Sequence, residues 1–305
     1  MNKKKLSNTA ASIRQRLLNL ARQRKEEFQL ILSRYAIERL LYRLSQSKYG
    51  DEFTLKGAML FQLWTGQPHR STLDLDLLGS GEDAVQRFEM IFREVFVEVV
   101  EADGLQFQPE SLKGEEIRED QKYGGVRLHG MAMLENARIP LQIDIGIGDA
   151  ITPKAITVEY PTLLGMPAPK LKAYPKETVV AEKYEAMVSL GIANSRMKDF
   201  YDLWVLSTQF EFTGAVLMKA VKATFERRGT TLPATTPVAL TPAFAEDGSK
   251  RTQWTAFIRR GRLVTEAPPL DAVLRLLNSF LGPLTEAAVN NQPSSMDWRP
   301  GGPWK

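Results

Sequence analysis

The 305-residue chain has no cysteine and only two histidines, His69 and His129. Without thiols there are no disulfides and no thiolate chemistry. Two histidines give little support to a His-based zinc centre or a Ser-His-Asp triad. No apolar run approaches the roughly 20 residues of a membrane span. The N-terminal Met1-Asn2-Lys3-Lys4-Lys5 lacks the apolar stretch of a signal peptide. These absences predict a cytoplasmic protein that does not engage a membrane. There is no internal repeat and no low-complexity core. The rest is ordinary globular composition, 43% hydrophobic and 25% charged. That is enough to bury a core in one large domain or two ordinary ones.

Charge is unevenly spread. Residues 1–48 carry twelve lysines and arginines against three glutamates, a net +9 within a chain whose total is +4. A basic N-terminal face attracts RNA phosphates or an acidic partner. The plainer alternative is an amphipathic helix pair with solvated charges.

Helical spacing runs through 8–26 and 28–47, with Asn8 and Thr9 as start signals for the first helix. Residues 53–64 read as a buried turn and helix, and 82–101 as another helix. Strands with polar turns occupy 104–139, as in Lys122-Tyr123-Gly124-Gly125-Val126-Arg127-Leu128. Prolines 153, 161, 167, 169 and 175 mark a connection that contains a domain boundary. Helices are then expected at 177–192, 196–209, 213–228 and 270–281, and a loop over 229–248. This predicts four parts: basic helices over 1–48, a catalytic core over 49–165, a helical domain over 166–289, and a poorly ordered tail over 290–305.

The chemistry concentrates in two strand-like stretches. Leu73-Asp74-Leu75-Asp76-Leu77 alternates with period two, so both aspartates share one face while the leucines enter a core. Neighbouring carboxylates repel and are costly to desolvate. A divalent cation relieves that repulsion, and Mg²⁺ favours carboxylate oxygens together with substrate phosphates. Leu141-Gln142-Ile143-Asp144-Ile145-Gly146-Ile147 alternates likewise and ends at Gly148-Asp149. If the two strands are neighbours, Asp144 joins Asp74 and Asp76 in a three-carboxylate metal cluster suited to nucleotidyl transfer. Upstream, Lys56-Gly57-Ala58 lets backbone approach a triphosphate. Arg70 and Ser71 reach for phosphate oxygens just before the first acidic strand. Each element alone also reads as a turn residue or a solvated edge.

A second constellation lies in the helical half. Thr178 and Ser195 are candidate N-caps. The helices they open bring Lys183 near Asp199, and Asp202 shares a face with Asp199. Lys183 then either neutralises triphosphate charge or forms an interhelical salt bridge with Asp199.

Four blocks in this order carry a resemblance: Lys56-Gly57-Ala58 through Asp74-Leu75-Asp76; Ile143-Asp144-Ile145-Gly146-Ile147-Gly148-Asp149; Ala181-Glu182-Lys183-Tyr184-Glu185-Ala186; and Arg196-Met197-Lys198-Asp199-Phe200-Tyr201-Asp202-Leu203. Over roughly residues 50–210 the chain resembles the AbiEii/AbiGii nucleotidyltransferase toxins of type IV toxin–antitoxin and abortive-infection systems. The resemblance implies an α+β fold: a polymerase-β-like core with N-terminal helices and a C-terminal helical domain. It implies NTP as substrate and Mg²⁺, or Mn²⁺ in its place, as metal. Asp74, Asp76 and Asp144 match the family's metal-binding acids, Lys183 its third-motif lysine and Asp199 its fourth-motif aspartate. Lys56, Gly57, Ala58, Arg70, Ser71 and Lys183 fall where the nucleotide would bind. The family usually has Gly or Ser at the position of Ala58, so small size is kept and a hydroxyl contact is lost.

The expected activity is transfer of an NMP to an acceptor hydroxyl, with the tRNA 3′ end as the acceptor the resemblance favours. A cognate antitoxin acts in the same system. Competing readings are a protein or small-molecule acceptor, and a catalytically silent nucleotide-binding protein.

Overall fold

The computed structural model describes residues 3–81, 84–119 and 123–305; the side chains of 3–7, 118, 119 and 123 are not described. Glu82 and Lys122, named in the expected helix and strand above, lie outside the described residues. The chain divides into two compact units, one of residues 1–148 and 156–173, the other of 149–155 and 174–305.

The first unit is a mixed sheet flanked by helices. Helices α1 (Lys3–Arg24) and α2 (Phe28–Gln46) precede strand β1 (Phe53–Leu55) and the short helix α3 (Leu60–Thr65). Then follow β2 (Asp74–Gly79), α4 (Val85–Phe96), β3 (Leu105–Phe107), β4 (Lys113–Glu119), β5 (Tyr123–Leu134), β6 (Ala137–Ile147), β7 (Ile156–Glu159) and β8 (Lys170–Ala173). The strand order is β3-β5-β6-β2-β1-β8-β7, with β4 also paired to β5. β2 and β6 are parallel, whereas β5 and β6 form an antiparallel hairpin.

Because α1 already runs through Asn8 and Thr9, these residues do not start it. Leu73, expected in the core, is 49% exposed and lies just outside β2, while Leu75 and Leu77 are buried as the alternation requires. The core beneath the sheet is aromatic. The amphipathic helix α4 buries Phe88, Ile91, Phe92, Val95 and Phe96, and Phe53 meets the rings of Phe88 and Phe92 at 6.0 and 5.5 Å.

Part of the basic N-terminal charge is buried or paired. Arg39 and Arg43 are buried on α2 and both pair with the buried Asp103. Arg34 pairs with Glu26, Arg14 with Glu135 and Lys48 with Glu94. Arg16, Arg22, Arg24 and Lys25 remain exposed.

The second unit is helical: α5 (Lys176–Leu190), α6 (Met197–Gln209), α7 (Gly214–Arg228), α8 (Pro242–Glu246), α9 (Gly248–Gly261) and α10 (Leu270–Val289), with the two-residue strands β9 (Phe212–Thr213) and β10 (Asp297–Trp298). The expected caps differ. Thr178 lies inside α5, where its hydroxyl donates to the Thr152 carbonyl at 2.8 Å. At α6 it is Asn194 Oδ1, not Ser195, that accepts an amide, from Arg196 at 2.8 Å. The loop expected over 229–248 contains α8. Helix α9, which followed no motif in the sequence, is capped by Asp247 and anchored by the buried Trp254. Helix α10 continues past Pro283, because Leu284, Thr285 and Ala288 are buried beyond it.

The tail expected to be poorly ordered is packed instead. β10 pairs with β9, and Trp298 is buried with its indole N–H on the Ser207 carbonyl. Trp304 stacks on Phe280 and donates to the Phe280 carbonyl at 2.9 Å. Two tryptophans with satisfied N–H groups outweigh the surrounding Pro, Gly and Ser. Among the described residues no helix is long and apolar enough to cross a membrane.

Candidate active site

In the first unit the alternation of β2 and β6 places the acids on one sheet face, each half-buried. The register puts Asp76 beside Asp144 and Asp74 beside Gln142. In-register partners on neighbouring strands point the same way. All three acids named by the sequence therefore share one patch.

Gly57 explains how that patch is approached. It adopts φ +76°, and a β-carbon there would lie 2.0 Å from Asp76 Oδ2. Glycine supplies both the left-handed backbone and the empty space. The Lys56 amide donates to the Asp76 carbonyl at 3.0 Å, tying the turn to the strand. Ala58 is buried and lines a small pocket with Glu38, Gln62, Thr72 and Tyr160. Arg70 and Ser71 sit in the loop before β2, both half-buried, with Arg70 Nη1 3.4 Å from the Ser71 carbonyl. His69 is a packing residue, stacked on Phe61 with ring centroids 3.5 Å apart.

The residue that the sequence did not single out is Arg127. It lies opposite Asp144 on β5 and binds both carboxylate oxygens, Nε to Oδ1 and Nη2 to Oδ2, each at 2.8 Å. Gln142 Nε2 adds contacts of 3.3 and 3.2 Å to the same carboxylate. The hydrogen bond to Asp144, with the further pull of Asp144, Asp74 and Glu115, pushes the guanidinium pKa above its ordinary value, so Arg127 stays charged. The signal was present: Arg127 shares the two-residue period of a strand flanking an acidic one. What was missing was the pairing register.

Asp74 and Asp76 offer hard oxygen donors on an accessible face, with Gly57 leaving room for one of them, which suits a divalent cation. Arg127 holds both oxygens of Asp144. Among the described residues no group of three His, Cys, Asp or Glu side chains is arranged to hold a metal ion. The three acids of the expected metal cluster thus lie on one face, with Arg127 on the third, Asp144.

In the second unit, Lys183 on α5 is gripped by two acids of α6, Asp199 at 2.6 Å and Asp202 at 2.9 Å. Asp202 is fully buried. The interhelical salt bridge is thus present, with a second acid that the sequence showed only as a helical neighbour. A second cluster involves the block Ala181–Ala186: Arg228 on α7 meets Asp149 at 3.0 Å, Glu182 at 3.6 Å and Glu185 at 2.9 Å. Burial disfavours its charge, but the carboxylates of Glu182, Asp149 and Glu185 outweigh burial and raise its pKa. Arg228 follows no motif and lies 43 residues from Glu185, so local reading does not reveal it.

A comparison with curated protein sequences finds no match. Among solved structures the fold is similar to a protein from H. pylori described as a candidate nucleotidyltransferase, at 14% identity and TM-score 0.50, covering 87% of this chain and 96% of that one. It is equally similar to JHP933 from Helicobacter pylori, at 14% identity and TM-score 0.50, covering 87% and 94%. At that identity the likeness speaks for the fold alone. The family described as "Nucleotidyl transferase AbiEii toxin, Type IV TA system" matches residues 39–276. With most of its length inside that match, the chain belongs to the AbiEii family of nucleotidyltransferase toxins.

Proposed function

We infer that this toxin moves an NMP from NTP to an RNA 3′ hydroxyl, with tRNA as the acceptor, in the cytoplasm. The observation that carries the reading is the in-register placement of Asp76 beside Asp144, with Asp74 on the same face and Gly57 against Asp76.

In this reading Asp74 and Asp76 hold Mg²⁺ or Mn²⁺, which when bound neutralises triphosphate charge and polarises the α-phosphate. Lys56, Gly57 and Ala58 form the turn that approaches the triphosphate, and Arg70 and Ser71 donate to phosphate oxygens. Asp144, oriented by Arg127 and Gln142, receives the acceptor hydroxyl as a hydrogen-bond donor. The hydroxyl oxygen attacks the α-phosphate, its proton passes to the Asp144 carboxylate that accepts its hydrogen bond, and the α–β phosphoanhydride bond breaks to release pyrophosphate. Lys183 keeps the triphosphate contact that the family resemblance implies, with Asp199 and Asp202 orienting it. The exposed Arg16, Arg22 and Arg24 favour RNA over a small-molecule acceptor. The antitoxin of the system acts without needing to touch this chain.

The test is incubation with each α-labelled NTP, Mg²⁺ or Mn²⁺, total RNA and total protein. Label that ribonuclease removes and protease spares supports the reading. Label in the protein fraction or in small molecules overturns the acceptor.

A further inference from the structure

Helix α9 carries charge of one sign. From Gly248 to Thr265 the chain has five lysines and arginines and no carboxylate. Lys250 is buried, with its Nζ on the Asn194 carbonyl at 2.8 Å. Arg251, Arg259 and Arg260 are exposed, and among the described residues no carboxylate pairs with them. Asp247, just before the helix, is occupied as its cap. Arginines in a last turn complement the helix dipole, but Arg251 stands in the first turn, where the dipole disfavours a cation. Beside these arginines α6 and α9 share aromatic rings. The buried Tyr201 lies 5.7 Å from both Trp204 and Phe257, which are half-buried. Arg260 follows Phe257 by one turn, on the same side of α9. Trp204 also differs from the other tryptophans of this unit. Trp254, Trp298 and Trp304 each donate the indole N–H to a carbonyl. The Trp204 N–H has no such acceptor among the described residues, and it is not sealed from solvent.

We propose that this face of the helical unit docks unpaired RNA, with Arg251, Arg259 and Arg260 on phosphates and Trp204 and Phe257 under bases. Guanidinium groups bind phosphate by charge-assisted hydrogen bonds. Stacking on aromatic side chains needs base faces that a duplex keeps covered and a single strand exposes. An acidic protein would answer the arginines but would leave the two half-buried rings and the unspent indole N–H without a role. The inference rests on the reading of RNA as the acceptor, and adds to it a surface in the second unit that uses none of the N-terminal arginines.

The experiment is fluorescence anisotropy of the full-length protein with a short labelled single-stranded RNA, its duplex and a poly-glutamate peptide, without NTP, over a series of salt concentrations. Thermal melting confirms folding. The double variant R259Q/R260Q should bind the single strand at least tenfold more weakly. It should also lower the slope of log affinity on log salt by about 1.4, at about 0.7 per phosphate on a single strand. Trp204→Leu should weaken single-strand binding about tenfold while leaving the salt slope and duplex binding unchanged. Phe257→Leu repeats that test should Trp204→Leu melt early. Equal loss of duplex and single-strand binding in the folded ring variant overturns the stacking role and the inference. Poly-glutamate that binds wild type as tightly as RNA, and is released by R259Q/R260Q, overturns it in favour of an acidic protein. Single-strand affinity unchanged in the folded variants, in a wild type that still labels RNA from α-labelled NTP, overturns the docking face and leaves the RNA acceptor standing. A wild type that neither binds nor labels RNA overturns both.

Discussion

Gly57 and Asp76 pack so closely that a single methyl group on residue 57 would stand 2.0 Å from the Asp76 carboxylate oxygen. The turn and the acidic strand are therefore one unit, and the turn's sequence is fixed by the carboxylate it shelters.

Gly57→Ala is expected to displace Asp76 and reduce transfer by at least a hundredfold. Backbone strain at positive φ costs about 1 kcal/mol in addition. Gly66→Ala separates the two effects. Gly66 has φ +77° but nothing within 4 Å of its added β-carbon. It should lose similar stability in a thermal melt while retaining transfer. Equal activity loss in both variants would contradict the packing argument.

Asp76→Ala is expected to abolish transfer without unfolding the protein. Removing one of several crowded carboxylates relieves repulsion, so the melting temperature in metal-free buffer should hold or rise. A collapsed melting transition would mean that Asp76 is structural.

Lys183 is predicted to be structural and functional at once. Lys183→Ala leaves Asp199 and the buried Asp202 without their shared cation. Breaking a buried ion pair costs about 3–5 kcal/mol, so a clear drop in melting temperature is expected. Asp202→Asn keeps the Lys183–Asp199 bond and should cost less. If Lys183 also meets the triphosphate, Asp202→Asn should tighten NTP binding, because one competing charge is gone. Unchanged NTP affinity, measured by calorimetry, would leave only the salt bridge.

How much of this was legible depended on whether local pattern or long-range pairing decided it. The alternation in Leu75/Asp76/Leu77 and Ile143/Asp144/Ile145 announced both strands and their acidic faces, because a period of two suffices for that. The register, which sets Asp76 beside Asp144 and Arg127 opposite it, comes from tertiary pairing that no local window contains. The same holds for Asp202 on Lys183 and for Arg228 among Asp149, Glu182 and Glu185. Composition misled where aromatics were few but decisive: Trp298 and Trp304 anchor a terminal segment whose Pro, Gly and Asn content reads as disorder. It also misled at α2, where Arg39 and Arg43 count toward a basic face yet are buried on Asp103.

That redistribution sharpens the RNA prediction. Replacing the exposed Arg16, Arg22 and Arg24 with Glu should weaken RNA binding and flatten its salt dependence, since each phosphate contact releases about one counterion. Replacing Arg39 or Arg43 should instead destabilise the fold. An unchanged RNA affinity and salt slope in the folded triple variant would move the acceptor surface elsewhere.

Glu38 predicts a pH effect on stability. It is buried, and burial pushes its pKa from 4.5 to about 7, although the Leu163 amide on Oε2 opposes the shift. A carboxyl whose folded pKa exceeds its unfolded value favours folding while protonated. Its contribution is present at low pH and lost as pH rises from about 4.5 through about 7. The loss is on the order of 3 kcal/mol. Glu38→Gln should flatten stability across this window and be the more stable protein at pH 8, as read by denaturant melts. A wild-type profile already flat between pH 5 and 8 would contradict this.

The most direct test of the account follows the phosphorus. Wild type and Asp76→Asn are incubated with total RNA, a divalent cation and NTP labelled at either the α- or the γ-phosphate. The account predicts that wild type transfers the α-label to RNA, releases the γ-label as pyrophosphate, and that Asp76→Asn does neither. Transfer of the γ-label to any acceptor, or α-label transfer undiminished in Asp76→Asn, would contradict it.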